Sequence, residues 1–271
     1  MRADIINCEQ IIPRKLYKYY SVNDNLFNLI RNHSCWFSKP SDFNDPFDCN
    51  LDISIGRNPK EIMHNMDKSS MLRLLYDALS QKGDDVIDAG ARIIKKPFLL
   101  KNIINEIHKY YIDQNIGVFC LSQDPANILM WSHYADNHKG ICVEYSFSEK
   151  FLFQQCDEEL VCFNRICFED AICDLTKDED ANGYRMLFTK SVDWKYENEC
   201  RLLSYNPEIE GDFYSIPLDK DSTIKAVYFG LRCQEQTIET VKNILREEKD
   251  ITFYKMKKNP KNIYKLECYK I

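Results

Sequence analysis

Glycine is scarce in this chain of 271 residues, with 8, and histidine is scarcer, with 5. The shortage of glycine removes the phosphate-cradling loops first. There is no Gly-x-Gly-x-x-Gly and no Walker loop, so the familiar nucleotide-binding turns are excluded. No Gly-x-Ser-x-Gly elbow and no His-Glu-x-x-His helix is present, which removes two hydrolase classes. His133 and His138 stand five apart, one step off the spacing that puts two ligands on one helix face, and no metal is expected. No run of about 18 apolar residues occurs, so no membrane span is expected. Met1 to Gln10 is charged and lacks an apolar core, so no signal peptide is expected.

Basic surplus is missing too. The net charge is −6 and the pI about 5.5, which argues against broad, sequence-independent binding to DNA or to an anionic membrane. Cysteine, by contrast, is plentiful, with 12 residues, yet no Cys-x-x-Cys occurs. Several cysteines sit inside apolar runs, as in Phe119-Cys120-Leu121, Ile141-Cys142-Val143 and Val161-Cys162-Phe163, where the thiol acts as a small core group. This pattern predicts free thiols in a reducing, cytoplasmic setting. Hydrophobic content of 44% and charged content of 29% fit a globular chain with a substantial core, read as one domain over 1–271.

Periodicity gives the elements. Short strands are expected at Lys15–Tyr20, Ser34–Ser38, Gly117–Ser122, Gly140–Phe147, Leu160–Phe168, Glu199–Ser204, Ala226–Gly230, Ile251–Met256 and Ile263–Tyr269. Asn23-Asp24-Asn25 caps a helix over Leu26–Arg31, Asp124-Pro125 opens another through Met130, Trp131 and Tyr134, and Gln234–Glu247 reads as a surface helix. A polar, helically periodic insert spans about 59–115. Helices gather in the insert and the connections and do not alternate strictly with strands. The class is α+β, with a mixed, mostly antiparallel sheet at its core.

Three stretches carry chemistry-bearing residues. In Tyr196-Glu197-Asn198-Glu199-Cys200-Arg201 two acids stand two apart, and on a strand Glu197 and Glu199 would project to one face. Like charges so placed raise one pKa, which active sites exploit; a solvated face with Glu paired to Arg201 or Lys195 explains the pattern equally well. Asn44-Asp45-Pro46-Phe47-Asp48 is a stiffened turn in which Asn44 and Asp45 either bond their own backbone or present a carboxylate to a ligand. On the helix before Gly140, Trp131, Tyr134 and Ala135 share a face, as core or as an aromatic pocket edge.

Together, Tyr17-Lys18-Tyr19, Phe37-Ser38-Lys39-Pro40, Phe43 to Asp48, Met130 to Asp136, Gly140 and Trp194-x-x-Glu197-x-Glu199-x-Arg201 resemble the bacterial family known as domain of unknown function 2971, from about Leu16 to Gly230. That name implies no activity. The order of elements is also similar to the ADP-ribosyltransferase fold. Leu16-Tyr17-Lys18 looks like its first motif strand, Phe119 to Pro125 its second, and Glu197-x-Glu199 its third, with Lys18 where that superfamily carries Arg or His. The resemblance implies NAD as substrate. A Glu, by analogy Glu199, stabilises the oxocarbenium ribose while Glu197 orients the acceptor. Lys18 and Tyr17 with Ser122 hold phosphate and ribose, Trp131 or Tyr134 stacks on nicotinamide, and Asn44 and Asp45 complete the site. This arrangement requires Lys18, Ser122, Glu197 and Glu199 to gather in one cleft.

Three readings follow. The first is an NAD-consuming enzyme acting on protein, nucleic acid or water, in a toxin or phage-defence role by analogy of fold. The second is a binding module of the same fold that senses a nucleotide or partner without turnover. The third is a metal-dependent nuclease using Asp45, Asp48 and the two Glu.

Overall fold

The computed structural model describes residues 13, 15–49, 112–153, 160–170, 186–205 and 214–271. Apart from 112–115, which are helical, the insert expected at about 59–115 lies outside the described residues. The chain divides into two compact units, one of residues 1–8, 39–116 and 167–192, the other of 9–38, 117–166 and 193–271.

The second unit is built on an eight-stranded sheet. Its strands are β1 (Leu16–Tyr20), β3 (Ile116–Ser122), β4 (Ile141–Ser146), β5 (Leu160–Arg165), β8 (Glu199–Tyr205), β10 (Thr223–Phe229), β11 (Thr252–Lys258) and β12 (Leu266–Lys270). Their order is β12-β11-β10-β4-β1-β3-β8-β5. Antiparallel pairing joins β1 to β3 and to β4, β4 to β10, β5 to β8 and β11 to β12. β10 and β11 run parallel, and the chain between them forms a helix, α4 (Glu235–Ile244), as a parallel pair requires a long crossover. The fold is therefore α+β around a mixed, mostly antiparallel sheet, as the periodicity predicts. A separate pair, β2 (Ser34–Phe37) with β9 (Tyr214–Pro217), belongs to the same unit.

Strand alternation sorts the side chains into two faces. Leu16, Phe119, Leu121, Ile141, Val143, Cys200, Leu202, Val227 and Phe229 bury one face, against Leu26 and Ile30 of helix α1 (Asp24–Arg31) and Ile238 and Val241 of α4. Each Val, Leu, Ile or Phe among them contributes about 1.5–3 kcal/mol on burial. Tyr17, Tyr19, Cys142, Ala226, Tyr228 and Met256 lie on the opposite face with Met130 and Trp131 of helix α2 (Ile128–Tyr134) and with Ala135. Cys142 is a buried free thiol, as its apolar neighbours imply, whereas Cys120 and Cys162 are half-buried; Cys35 and Cys200 are buried as well. Burial pushes the Cys200 thiol up to about 12.

Local signals set the helix ends. Asn23 caps α1 by accepting from Leu26 N at 2.9 Å, as expected. The second helix starts later than the Asp124-Pro125 signal suggests. Asp124 instead bonds Ala126 N at 2.8 Å in a turn, and Asn127 caps α2 through Leu129 N and Met130 N. After Ala135 the chain passes through Asp136, Asn137 and His138 at φ 42, 53 and 70, a run of left-handed residues without glycine. Gly140 closes that turn by donating to Ala135 O at 2.8 Å. A Cβ on Gly140 would lie 2.1 Å from Tyr20 O, so only glycine fits.

Other expectations shift. The strand expected over Leu160–Phe168 is two: β5, in the large sheet, and β6 (Cys167–Phe168), which pairs in parallel with β7 (Thr189–Lys190) in the first unit. β9 and a short helix, α3 (Glu149–Leu152), are elements that the periodicity does not predict. Among the described residues, no helix is long and apolar enough to cross a membrane.

Candidate functional site

The two acids do not share a strand. Glu197 ends a 3-10 segment, Val192–Glu197, and Glu199 opens β8. Between them Asn198 sits at φ 48, so the two-residue alternation assumed for the pair does not apply. Asn198 is pinned to the residue after β3: Gln123 N donates to its carbonyl at 3.1 Å and Gln123 Nε2 to its Oδ1 at 3.2 Å.

Both carboxylates are buried and engaged, Glu197 at 3% exposure and Glu199 at 4%. Glu199 Oε1 accepts from Arg201 Nε at 2.7 Å, and Oε2 from Nη2 at 3.4 Å. The partners stand two apart on β8, hence on one face, and Arg201 is fully buried. A buried pair of this kind is costly to break from either side. Glu197 Oε1 accepts from the Tyr134 hydroxyl at 2.5 Å, and its carbonyl accepts from Ser122 Oγ at 2.7 Å. Asn127 Nδ2 reaches Tyr196 O at 2.7 Å, so the start of α2 is clamped onto the 3-10 segment.

The strands that carry Lys18, Ser122 and Glu199 lie side by side. β1, β3 and β8 are neighbours in the sheet. Tyr17 pairs directly with Ser122, so the two share a face. Glu199 is on that face as well, because Cys200 and Leu202 bury the other. Lys18 is not. It alternates with Tyr17, and its Nζ lies 5.0 Å from the Phe119 ring centre, on the face of the main core. The sheet therefore separates Lys18 from Ser122 and Glu199, and the single cleft expected from the sequence does not form.

Trp131 belongs to the core, fully buried, with Nε1 donating to Pro125 O at 2.9 Å and Tyr19 packed edge-on at 5.2 Å. In the first unit, Asp45 Oδ1 accepts from Phe47 N at 2.9 Å and Asp48 N donates to Asp45 O at 3.2 Å, so that carboxylate braces its own turn. Asn44 is exposed beside it. Asp48 forms a buried ion pair with Lys190 at 3.3 Å.

Sequence reading missed two features. Glu144 of β4 lies on the Ser122 face, where it accepts from Tyr228 OH at 2.8 Å and pairs with Lys15 at 3.1 Å. An acid inside the apolar run Ile141-Cys142-Val143-Glu144-Tyr145 was its signal. Burial and the nearby Glu144 charge raise the Tyr17 phenol, and burial with the Glu144 bond raises that of Tyr228. The second feature is a pocket of about 310 Å³ on the Lys18 side, lined by Lys18, Ser21, Asn23, Asn25, Trp36 and Ser38 among polar and aromatic groups. Tyr20, Leu26 and Leu29 give it apolar walls. Lys18 makes no ion pair among the described residues. Burial pushes the Cys35 thiol well up, and the Lys18 charge partly offsets this. Ser21-Val22-Asn23-Asp24-Asn25 was the available signal, but it reads first as a helix cap.

No curated protein and no solved structure matches the chain. Residues 130–202, from within α2 into β8, match a family model, a narrower range than the Leu16–Gly230 over which the motifs were read. The matched segment holds Trp131, Tyr134, Gly140, Glu197, Glu199 and Arg201, and the family is the one those motifs resemble: protein of unknown function DUF2971.

Proposed function

We propose that the chain is a binding module whose ligand is a small anion of the nucleotide class, held beside Lys18 and not turned over by Glu197 and Glu199. One contrast carries this reading. Glu199 is committed to Arg201 and Glu197 to Tyr134, whereas Lys18 lines a pocket without a carboxylate to answer it among the described residues. A lysine at the wall of a concave site meets a phosphate as a point charge. A carboxylate already held by a buried guanidinium is poorly placed to stabilise a developing cation.

Turnover of NAD is the second reading, and the adjacency of β1, β3 and β8 favours it, with Tyr17, Ser122 and Glu199 on one face. Under it Glu199 would leave Arg201 to face the ribose, Glu197 would orient the acceptor, and Ser122 would hold the sugar. Thermal melting with NAD or AMP, run beside a nicotinamide-release assay on wild type and Glu199→Gln, separates the two. The binding reading expects a raised Tm and no release, since ligand at 100 times Kd adds about 2.7 kcal/mol of stability. Release that Glu199→Gln abolishes, with that variant still folded, would establish turnover instead.

A further inference from the structure

We infer that the Lys18 pocket reads its ligand at two points, an anionic group at Lys18 and a planar ring at Trp36, and that it is sized for a mononucleotide and not for a dinucleotide such as NAD. The inference rests on the binding reading above and narrows its ligand. Size comes first. A volume of about 310 Å³ stands at the small end of the roughly 300–1,000 Å³ found for small-molecule sites.

The polarity is one-sided. Among the described residues, Lys18 supplies the only charged side chain of the lining. Asp24, the one acid between Lys18 and Leu29, is not part of it. Lys18 is half-buried over Phe119, so its charge acts in a medium less screening than water. Ser21, Asn25 and Ser38 add donors whose side chains have no partner among the described residues, enough to meet the remaining oxygens of a phosphate. Asn23 has its carbonyl oxygen committed to the α1 cap.

The ring site follows from β2. Cys35 and Phe37 are buried in the main core, so alternation sends Trp36 the other way, half-buried, to the pocket wall. An indole there offers a stacking face to any planar base, while Leu26 and Leu29 close the apolar side.

The test is calorimetric titration of the full chain with AMP, adenosine, inorganic phosphate and NAD. AMP is expected to bind tightest, with each half weaker by about tenfold or more. Lys18→Met should remove the phosphate response, and Trp36→Leu the adenosine response. Asn25→Asp, an isosteric change at an exposed position, should weaken AMP by placing a carboxylate at the pocket, and it leaves the core intact. Lys18-dependent binding in which NAD exceeds AMP would overturn the size assignment and leave the binding reading standing. AMP binding unchanged in all three variants would overturn the pocket assignment. Heat from none of the four compounds would overturn both.

Discussion

The two faces of the central sheet differ in how they treat their polar groups, although the Tyr20 and Tyr145 hydroxyls, 2.9 Å apart, answer each other on the Lys18 side. On the face of Ser122 and Glu199, carboxylate meets guanidinium, carboxylate meets phenol, and hydroxyl meets carbonyl. On the face of Lys18, an ammonium, two hydroxyls and an amide line open space. Residues that look most chemical in the sequence are thus the ones the fold uses to hold itself together. Two of the uncommitted donors, Ser21 and Asn25, come from a stretch that reads as a helix start. A polar group answered within the protein reports on stability; one left open at a concave wall reports on a ligand.

Substitution should break the comparison cleanly. Glu199→Ala leaves Arg201 without this carboxylate and should cost about 3–5 kcal/mol in urea unfolding. Should it cost less than about 1 kcal/mol, the committed face would lose its defining feature. Tyr134→Phe removes one bond to a carboxylate and should cost about 1.5–3 kcal/mol, with AMP affinity unchanged. Lys18→Met should cost under about 1 kcal/mol, the worth of its contact with Phe119, while abolishing anion binding. Lys15→Met breaks a pair whose lysine is 62% exposed, so the loss should be under about 1 kcal/mol and shrink further in high salt.

One loose end on the committed face gives a pH test. His138 stacks on Trp131, and its Nε2 lies 3.2 Å from Ser132 Oγ. The Ser132 proton goes to Ile128 O at 2.8 Å, so Nε2 is the donor and Nδ1 keeps a buried lone pair with no partner among the described residues. Burial first, then Arg232, lower its pKa from the ordinary 6.5. The unfolded chain therefore binds the proton more readily. The contribution is present above 6.5 and is lost as pH falls from there through the folded value. Stability measured from pH 7.5 to 5 should fall with a slope that is reduced in His138→Gln.

Alternating apolar residues made most of the strands legible: of the three thiols read as core groups, Cys142 is buried as read, while Cys120 and Cys162 are only half-buried. What sequence alone did not give was conformation at single residues. A left-handed Asn198 separates Glu197 from the strand of Glu199, and a turn at Asp124 takes Pro125 out of the helix. The facing of Lys18 was legible in principle, since it alternates with Tyr17; which face holds the acids depends on the neighbours of β1, and those are set by contacts distant in the chain. The pocket was hidden differently: its walls join residues 18–29 to Trp36 and Ser38, close in the chain, but these stretches read first as strands and a helix cap.

The central position of β1 has a consequence in time. It is the first strand of the sheet to leave a ribosome, yet Tyr17 pairs with Ser122 and Tyr20 with Ile141, far later in the chain. At about 5–20 residues per second, a nascent Leu-Tyr-Lys-Tyr-Tyr segment waits roughly 5–20 s for its partners. For that interval the middle of the finished sheet is an unpaired edge, and whatever shields it during synthesis decides the yield of folded protein.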